Sequence, residues 1–165
     1  MYESLSDCRH DFPSRKINAD KAASRIDGDD NVVCKHGPSE CIGNMLSLCA
    51  KYLFPNQTII SLGFTNCLIA SYSRIADREL VESCALEHGI DFEALNDCVS
   101  EDGRGIDLLR DSIERSEAAD VKRSCTVRVN GTQWCIRDGG KWKGCDQGHE
   151  PNDLVSEIVR LYEKD

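Results

Sequence analysis

Ten cysteines are spread over almost the whole chain of 165 residues, and they constrain its fold more than any other feature. They stand at Cys8, Cys34, Cys41, Cys49, Cys67, Cys84, Cys98, Cys125, Cys135 and Cys145. An even number of dispersed cysteines is typical of a protein that is cross-linked by disulfides in an oxidising compartment. The sequence therefore predicts a disulfide-stabilised fold, and the alternative is a cytosolic protein whose cysteines are reduced.

Charge and hydropathy argue against two classes of partner. The chain has 29 Asp and Glu against 20 Lys and Arg, which gives a net charge of -9. Nucleic acids and anionic membranes both select clustered Lys and Arg, so we expect neither as a main partner. No apolar run approaches the roughly 20 residues of a membrane-spanning helix. The length suffices for one domain with a sizeable core.

Two glycosylation sequons agree with an oxidising compartment. Asn56 and Asn130 each begin an Asn-X-Thr triplet and are candidate glycosylation sites. The first twenty residues have no apolar segment, so we predict no signal peptide in this chain. We interpret the sequence as a mature domain, a truncated product or an incomplete gene model of a secreted or lumenal protein.

Apolar spacing predicts a helical middle. Helices are expected over residues 38–54, 58–73, 77–88, 91–100 and 105–118, because their apolar positions recur every three or four residues. Upstream, residues 1–33 are polar, with a possible short helix from Asn18 to Arg25, and no strand is predicted there.

The pattern changes to alternation with period two after residue 120. Asn130-Gly131 lies at the centre of the alternating stretch and predicts a hairpin. A second turn is expected at Asp138-Gly139-Gly140, and Cys135 and Cys145 flank it closely enough to pair. A closing helix is predicted from about residue 152, with its inward face formed by Leu154, Val155, Ile158, Leu161 and Tyr162.

The stretch CKHGPSECIGNMLSLC, residues 34–49, concentrates reactive residue types. Zinc bound by Cys34, His36, Cys41 and Cys49 is one interpretation, but zinc ligands usually come in pairs two to four residues apart. A reactive thiol at Cys34 is another, since Lys35 and His36 are adjacent. The chain contains no C-x-x-C pair, which favours a third interpretation, in which these cysteines form structural disulfides. We therefore predict no metal site.

The same stretch matches the pattern C-x-H-G-x(2)-E-C-x(2)-N-x(4)-C at Cys34, His36, Gly37, Glu40, Cys41, Asn44 and Cys49. It resembles the signature of the gamma-interferon-inducible lysosomal thiol reductase family. Further similarity is found in LGFTNCL at 62–68, ESCALEHGID at 82–91, LLRDS at 108–112, SCTVRVNG at 124–131 and IRDGGKW at 136–142. The resemblance covers roughly residues 32–165.

The resemblance implies an α+β protein with a thioredoxin-like fold and a helical insertion. Residues 1–33 would be a polar remnant of the active-site half, 34–120 the cysteine-rich helical insertion, and 121–165 the hairpin with its C-terminal helix, all in one domain. It also implies a secreted, lysosomal or vacuole-like location. The implied activity is the reduction of protein disulfides, with an external small thiol as reductant and no cofactor.

The first half departs from the family pattern. The first β-α-β unit is largely missing or degenerate, and of the C-x-x-C only Cys8 remains, in YESLSDCR. No proline precedes the hairpin strand in Arg123-Ser124-Cys125-Thr126, where many members carry one that faces the active site. Cys8 is therefore the candidate nucleophile, and the nine cysteines from Cys34 to Cys145 are disulfide candidates. The remaining hypotheses are a non-catalytic, disulfide-stabilised secreted binding module and a truncated gene product.

Overall fold

The computed structural model describes residues 24–28, 31–100, 103–123 and 125–163. The helices are α1 (Pro38–Leu53), α2 (Thr58–Ala70), α3 (Arg78–Glu87), α4 (Phe92–Val99), α5 (Gly105–Ala118) and α6 (Pro151–Tyr162). The strands are β1 (Ser24–Ile26), β2 (Val32–Cys34), β3 (Thr126–Val129), β4 (Thr132–Asp138) and β5 (Lys141–Lys143). The predicted mixed α+β class is confirmed, and helix predominates.

Local sequence explains where several helices begin. Pro38 occupies the first turn of α1, where its missing N–H costs no hydrogen bond, and Glu40 lies in the same turn, near the positive end of the helix dipole. Asp91 caps α4 by accepting a hydrogen bond from the backbone N–H of Ala94 at 2.8 Å. Glu150 and Asp153 form a capping box at the start of α6.

The helical middle encloses the main core. Phe64, Leu68 and Leu95 are 0 to 1% exposed, and Cys49 and Cys84 are fully buried among them. The apolar positions that the sequence assigned to one face of each helix are therefore the ones that meet in the interior. Within the described part of the chain, no helix is both long and apolar enough to cross a lipid bilayer.

A small antiparallel sheet precedes the helices and corrects the prediction for this part of the chain. β1 pairs with β2, with Ser24 opposite Cys34. The predicted short helix through Arg25 and the predicted absence of strands in 1–33 are wrong where the chain is described, while residues 18–23 lie outside it. The strands form because Ile26 and Val32 pack against Leu109 and Ile113, a tertiary contact that local propensity does not contain.

The predicted hairpin is confirmed. β3 and β4 are antiparallel and are joined at Asn130 and Gly131, whose φ angles of 47° and 75° are those of a type I′ turn. β4 then pairs with β5 around the second predicted turn, at Gly139 and Gly140. The result is a three-stranded sheet in the order β3-β4-β5.

The closing helix forms as predicted, but its inward face is not buried. Val155 is 57% exposed, Ile158 50% and Tyr162 85%, and no residue of α6 is buried. The prediction of an inward face from Leu154 to Tyr162 is therefore wrong for these three residues. The apolar period was recognised correctly, but no element of the described chain covers this face.

Candidate functional site

A disulfide closes the signature segment. Cys34 at the end of β2 is bonded to Cys41 in the first turns of α1, with 5.7 Å between their Cα atoms. The connecting loop turns at Gly37, whose φ of 93° is disfavoured for residues with a side chain. Pro38 then begins the helix at once. The signature therefore builds a short cross-linked turn between a strand and a helix.

Glu40 organises the loop inside this turn. Its Oε2 accepts a hydrogen bond from the backbone N–H of His36 at 2.7 Å and lies 3.0 Å from Nδ1 of the same residue. Only 3% of the Glu40 side chain is exposed. Its second oxygen, Oε1, is buried without a hydrogen-bond partner among the described residues. His36 and Glu40 thus hold the loop before α1.

Asn44 connects the signature to the first sheet. Its Nδ2 donates a hydrogen bond to Oγ of Ser24 at 3.2 Å, and the same hydroxyl lies 3.2 Å from Sγ of Cys34. Ser24 was not identified from the sequence, because a single serine ten residues before a cysteine carries no recognisable signal. The structure therefore brings most of the signature together in one place: Cys34, His36, Glu40, Cys41 and Asn44.

Two further disulfides link the helices. Cys49 of α1 is bonded to Cys98 of α4, and Cys67 of α2 is bonded to Cys84 of α3. Since Cys34, Cys41 and Cys49 all form disulfides, their sulfurs are not the thiolates that the zinc alternative needed, nor is Cys34 a free nucleophile. The signature segment is a structural element in this oxidised state.

The hairpin carries its own cross-link. Cys135 is bonded to Cys145, as the sequence predicted from their position around the turn. Cys125, just before β3, is also disulfide-bonded. It is 8% exposed and has a positive φ of 64°, and its carbonyl accepts a hydrogen bond from the N–H of Arg137 at 2.9 Å. All nine cysteines of the described chain are therefore in disulfides.

A cluster of charges lies on the hairpin around Asp138. Lys143 Nζ donates to Oδ2 of Asp138 at 2.6 Å, and Arg123 Nη1 lies 3.7 Å from the same oxygen. The hydrogen bond from Lys143 is the main cause that lowers the pKa of Asp138, and the charges of Lys143, Arg123 and Lys35 act in the same direction against desolvation. Lys35 belongs to the signature loop, and its charge makes the smallest of these contributions.

The remaining predicted sites are placed as follows. Cys8, the candidate nucleophile, lies outside the described residues. Both sequon asparagines, Asn56 and Asn130, are on the surface.

Sequence reasoning missed a cluster of Cys67, Glu87 and His88. The cysteine lies about twenty residues before the other two, and only the packing of α2 on α3 brings them together.

Comparison with known proteins identifies one family. The model of the family described as gamma interferon inducible lysosomal thiol reductase (GILT) matches residues 12–88, which include the whole signature from Cys34 to Cys49. No curated protein and no solved structure gives a significant match. The resemblance found in the signature therefore agrees with a family model that covers a little under half of the chain.

Proposed function

We propose that this chain, a member of the gamma interferon inducible lysosomal thiol reductase family, carries out thiol–disulfide exchange on disulfide-bonded proteins. The family match over residues 12–88 is the observation that carries the proposal. The intact signature turn, closed by Cys34–Cys41 and ordered by Glu40, supports it, because the family's identifying segment is built in full.

The disulfides of the described residues restrict which cysteines can exchange with a substrate disulfide. Eight form four disulfides with one another, and Cys125 is bonded as well. Cys8 is the one further cysteine of the chain. We therefore propose that Cys8 and Cys125 are the exchanging pair, with Cys8 as the nucleophile.

The reaction balances with an external small thiol as reductant. In the reduced pair, the Cys8 thiolate attacks a substrate disulfide, forms a mixed disulfide and releases one substrate thiol. The Cys125 thiolate then attacks the Cys8 sulfur of that mixed disulfide, which releases the second substrate thiol and leaves the pair oxidised. Two equivalents of the small thiol restore the dithiol and are themselves oxidised to a disulfide.

The sequence around Cys8 favours a thiolate. Arg9 and His10 follow Cys8 directly in the sequence, and neighbouring cations lower the pKa of a cysteine. Cys125 stands beside β3, at the position that the resemblance places opposite the active site. A chain without a C-x-x-C would thus exchange through two cysteines that are distant in sequence.

We further propose a thioredoxin-like arrangement, in which the β3–β4–β5 sheet and α6 form the second half and helices α1 to α5 are the insertion. We also propose a secreted or lysosomal location, which the word lysosomal in the family's description and the disulfides support. Glycosylation at Asn56 and Asn130 is consistent with this location, because both side chains are accessible.

Turnover of a disulfide substrate tests the proposal. The chain should reduce insulin in the presence of a small thiol at pH 4.5 and at pH 7, and Cys8→Ser should reduce this rate to the background of the thiol itself. The double variant Cys135→Ala, Cys145→Ala is the control, because it removes a hairpin cross-link outside the proposed pair. A Cys8→Ser variant as fast as the parent would refute the role of Cys8.

The alternative function is a non-catalytic binding module stabilised by disulfides. The observation that favours it is that every cysteine in the described part of the chain is oxidised. Labelling of thiols after treatment with a mild reductant separates the two functions. A Cys8–Cys125 pair that opens first supports exchange, whereas a chain in which no disulfide opens and no substrate turns over is a binding module.

A further inference from the structure

A second disulfide, apart from the signature and from Cys8, lies in a setting suited to exchange chemistry. It is Cys67–Cys84, which links α2 to α3. Its two sulfurs differ in access, since Cys84 is fully buried in the helical core while Cys67 is only partly buried. Disulfides that exchange with other molecules need one accessible sulfur and a second that can act within the protein.

An ionisable pair lies beside the accessible sulfur. Sγ of Cys67 is 3.5 Å from Oε2 of Glu87, and Nε2 of His88 is 3.9 Å from Oε1 of the same carboxylate. One ligand-type atom from each of Cys67, Glu87 and His88 falls within 4.8 Å of the others. Among the described residues, this is the one place where three side chains of the histidine, cysteine and acidic classes converge so closely.

The imidazole of His88 packs against α2 at Gly63, where the helix has no side chain. A Cβ atom at Gly63 would lie 2.6 Å from Nδ1 and from Cε1 of His88, so the ring occupies the space that any larger residue would fill. Gly63 precedes Cys67 by one helical turn, which places the ring on the same face as the sulfur. His88 is also the C-cap of α3, where the helix dipole favours a positive charge.

His88 is the one basic side chain that α2 and the C-terminal end of α3 bring near the sulfur of Cys67. Helix α2 contains no charged residue, and its C-terminal end disfavours a thiolate at Cys67. The carboxylate of Glu87 disfavours it further, but it also orients the imidazole. His88 is therefore the basic side chain that α2 and the end of α3 place beside this sulfur, and a protonated imidazole is one of the neighbours that lower the pKa of an exchanging cysteine.

We propose that Cys67–Cys84 is a second exchange site, with Cys67 as the exchanging sulfur, Cys84 as the resolving one, His88 supporting the Cys67 thiolate and Glu87 orienting the imidazole. A small dithiol supplies the electrons. Its thiolate attacks Cys67, forms a mixed disulfide and releases Cys84, which takes up a proton because it is buried. The second thiol of the reductant then displaces Cys67, so that the reductant leaves as a cyclic disulfide and both cysteines are reduced.

Competition among the disulfides of one molecule tests this site. The oxidised full chain carrying Cys8→Ser and Cys125→Ser is treated with limiting dithiothreitol and a chelator, quenched in acid, alkylated and mapped by mass spectrometry. Cys67 and Cys84 should be labelled before Cys49 and Cys98, whose sulfurs are both in the core. Because the Cys8 nucleophile is absent, the outcome is independent of the proposed function above.

Three variants assign the role of the imidazole. His88→Asn should slow the opening of Cys67–Cys84 about threefold, the order expected for losing a partly exposed charge at this distance. Gly63→Ala should slow it similarly, because it displaces the ring while improving helix propensity. His149→Asn, which removes an exposed histidine paired with Glu150, is the control and should change nothing.

A second measurement separates exchange from stability. In Cys84→Ala the thiol of Cys67 has no partner, and its alkylation rate by iodoacetamide should fall about threefold when His88→Asn is added. The proposal is overturned if Cys67–Cys84 opens no earlier than Cys49–Cys98. It is equally overturned if His88→Asn leaves both rates unchanged, or slows all disulfides alike.

Discussion

The helical region from α1 to α5 and the C-terminal region of β3 to α6 bury their apolar side chains to very different extents. In the helical region Phe64, Leu68 and Leu95 are almost completely inaccessible. In the C-terminal region Trp134 and Cys135 are buried in the sheet, yet the apolar residues of α6 remain on the surface. In their sequences, α6 has a clear apolar period, whereas α2 is apolar on nearly all of its sides.

The difference teaches that periodicity predicts an element but not its partner. The helical region contains two complete disulfides between its helices, and its own helices supply the opposing apolar faces. In the C-terminal region, α6 offers an apolar face of Val155, Ile158 and Tyr162 with no cover among the described residues. Among the described residues, the helical region therefore covers its own apolar faces, whereas α6 leaves part of its apolar face exposed.

The largest expected effect is on the helical core. Phe64→Ala should lower the free energy of unfolding by about 3–5 kcal/mol, because it removes a fully buried aromatic ring and leaves a cavity. Chemical denaturation monitored by circular dichroism measures it. Ile59→Ala, at a position that is 87% exposed on the same helix, should change this free energy by less than about 0.5 kcal/mol. Equal effects would mean that α2 does not pack as described.

Removal of a disulfide should also lower the free energy of unfolding more in the helical region than in the C-terminal region. Cys49→Ala with Cys98→Ala opens a loop of 49 residues and should cost about 4 kcal/mol, whereas Cys135→Ala with Cys145→Ala opens one of 10 residues and should cost about 3 kcal/mol. Guanidinium unfolding of both double variants provides the comparison. If the hairpin pair proves the more costly, the helical region is not the principal cross-linked scaffold.

Local signals in the sequence were sufficient for much of this fold. The five middle helices, the Asn130-Gly131 hairpin and the Cys135–Cys145 disulfide follow from spacing and turn chemistry that act within a few residues. The family follows from the fixed positions of the signature. Such features are predictable because their causes lie close together in the chain.

Features that depend on tertiary contacts were not predictable. β1 and β2 are stabilised by Leu109 and Ile113, about eighty residues away, and were mistaken for helix and coil. The exposure of Ile158 depends on what lies over α6, and the pairing of Cys49 with Cys98 depends on how α1 crosses α4. The approach of Cys67 to Glu87 likewise arises only when α2 packs on α3.

A smaller effect is expected from the charge cluster of the C-terminal region. Since the pKa of Asp138 is lowered in the fold, mainly by the hydrogen bond from Lys143, its contribution to stability is present above its unfolded pKa and is lost as the pH falls through the folded value. Asp138→Asn should cost about 0.5 kcal/mol at neutral pH and nothing at strongly acid pH. Denaturation across this pH range measures the difference, and a constant difference would contradict the ion pair.

The smallest effect is expected on α6. Ile158→Ala should change the free energy of unfolding by less than about 0.5 kcal/mol, because half of the side chain is already in water. The matched substitution in the helical region is Ile113→Ala, where the side chain is 5% exposed and the loss should be about 2–4 kcal/mol. A large loss at Ile158 would mean that another surface covers α6 in solution.

The central proposal is that Cys8 exchanges disulfides with Cys125 as its resolving partner, and trapping a mixed disulfide tests it most directly. Cys125→Ser is reduced mildly, offered a peptide that contains one disulfide, quenched in acid and mapped by mass spectrometry. The proposal predicts that the peptide accumulates on Cys8, because the resolving thiol is absent, and that the wild-type chain retains none. A Cys125→Ser chain that carries no peptide on Cys8 would contradict it.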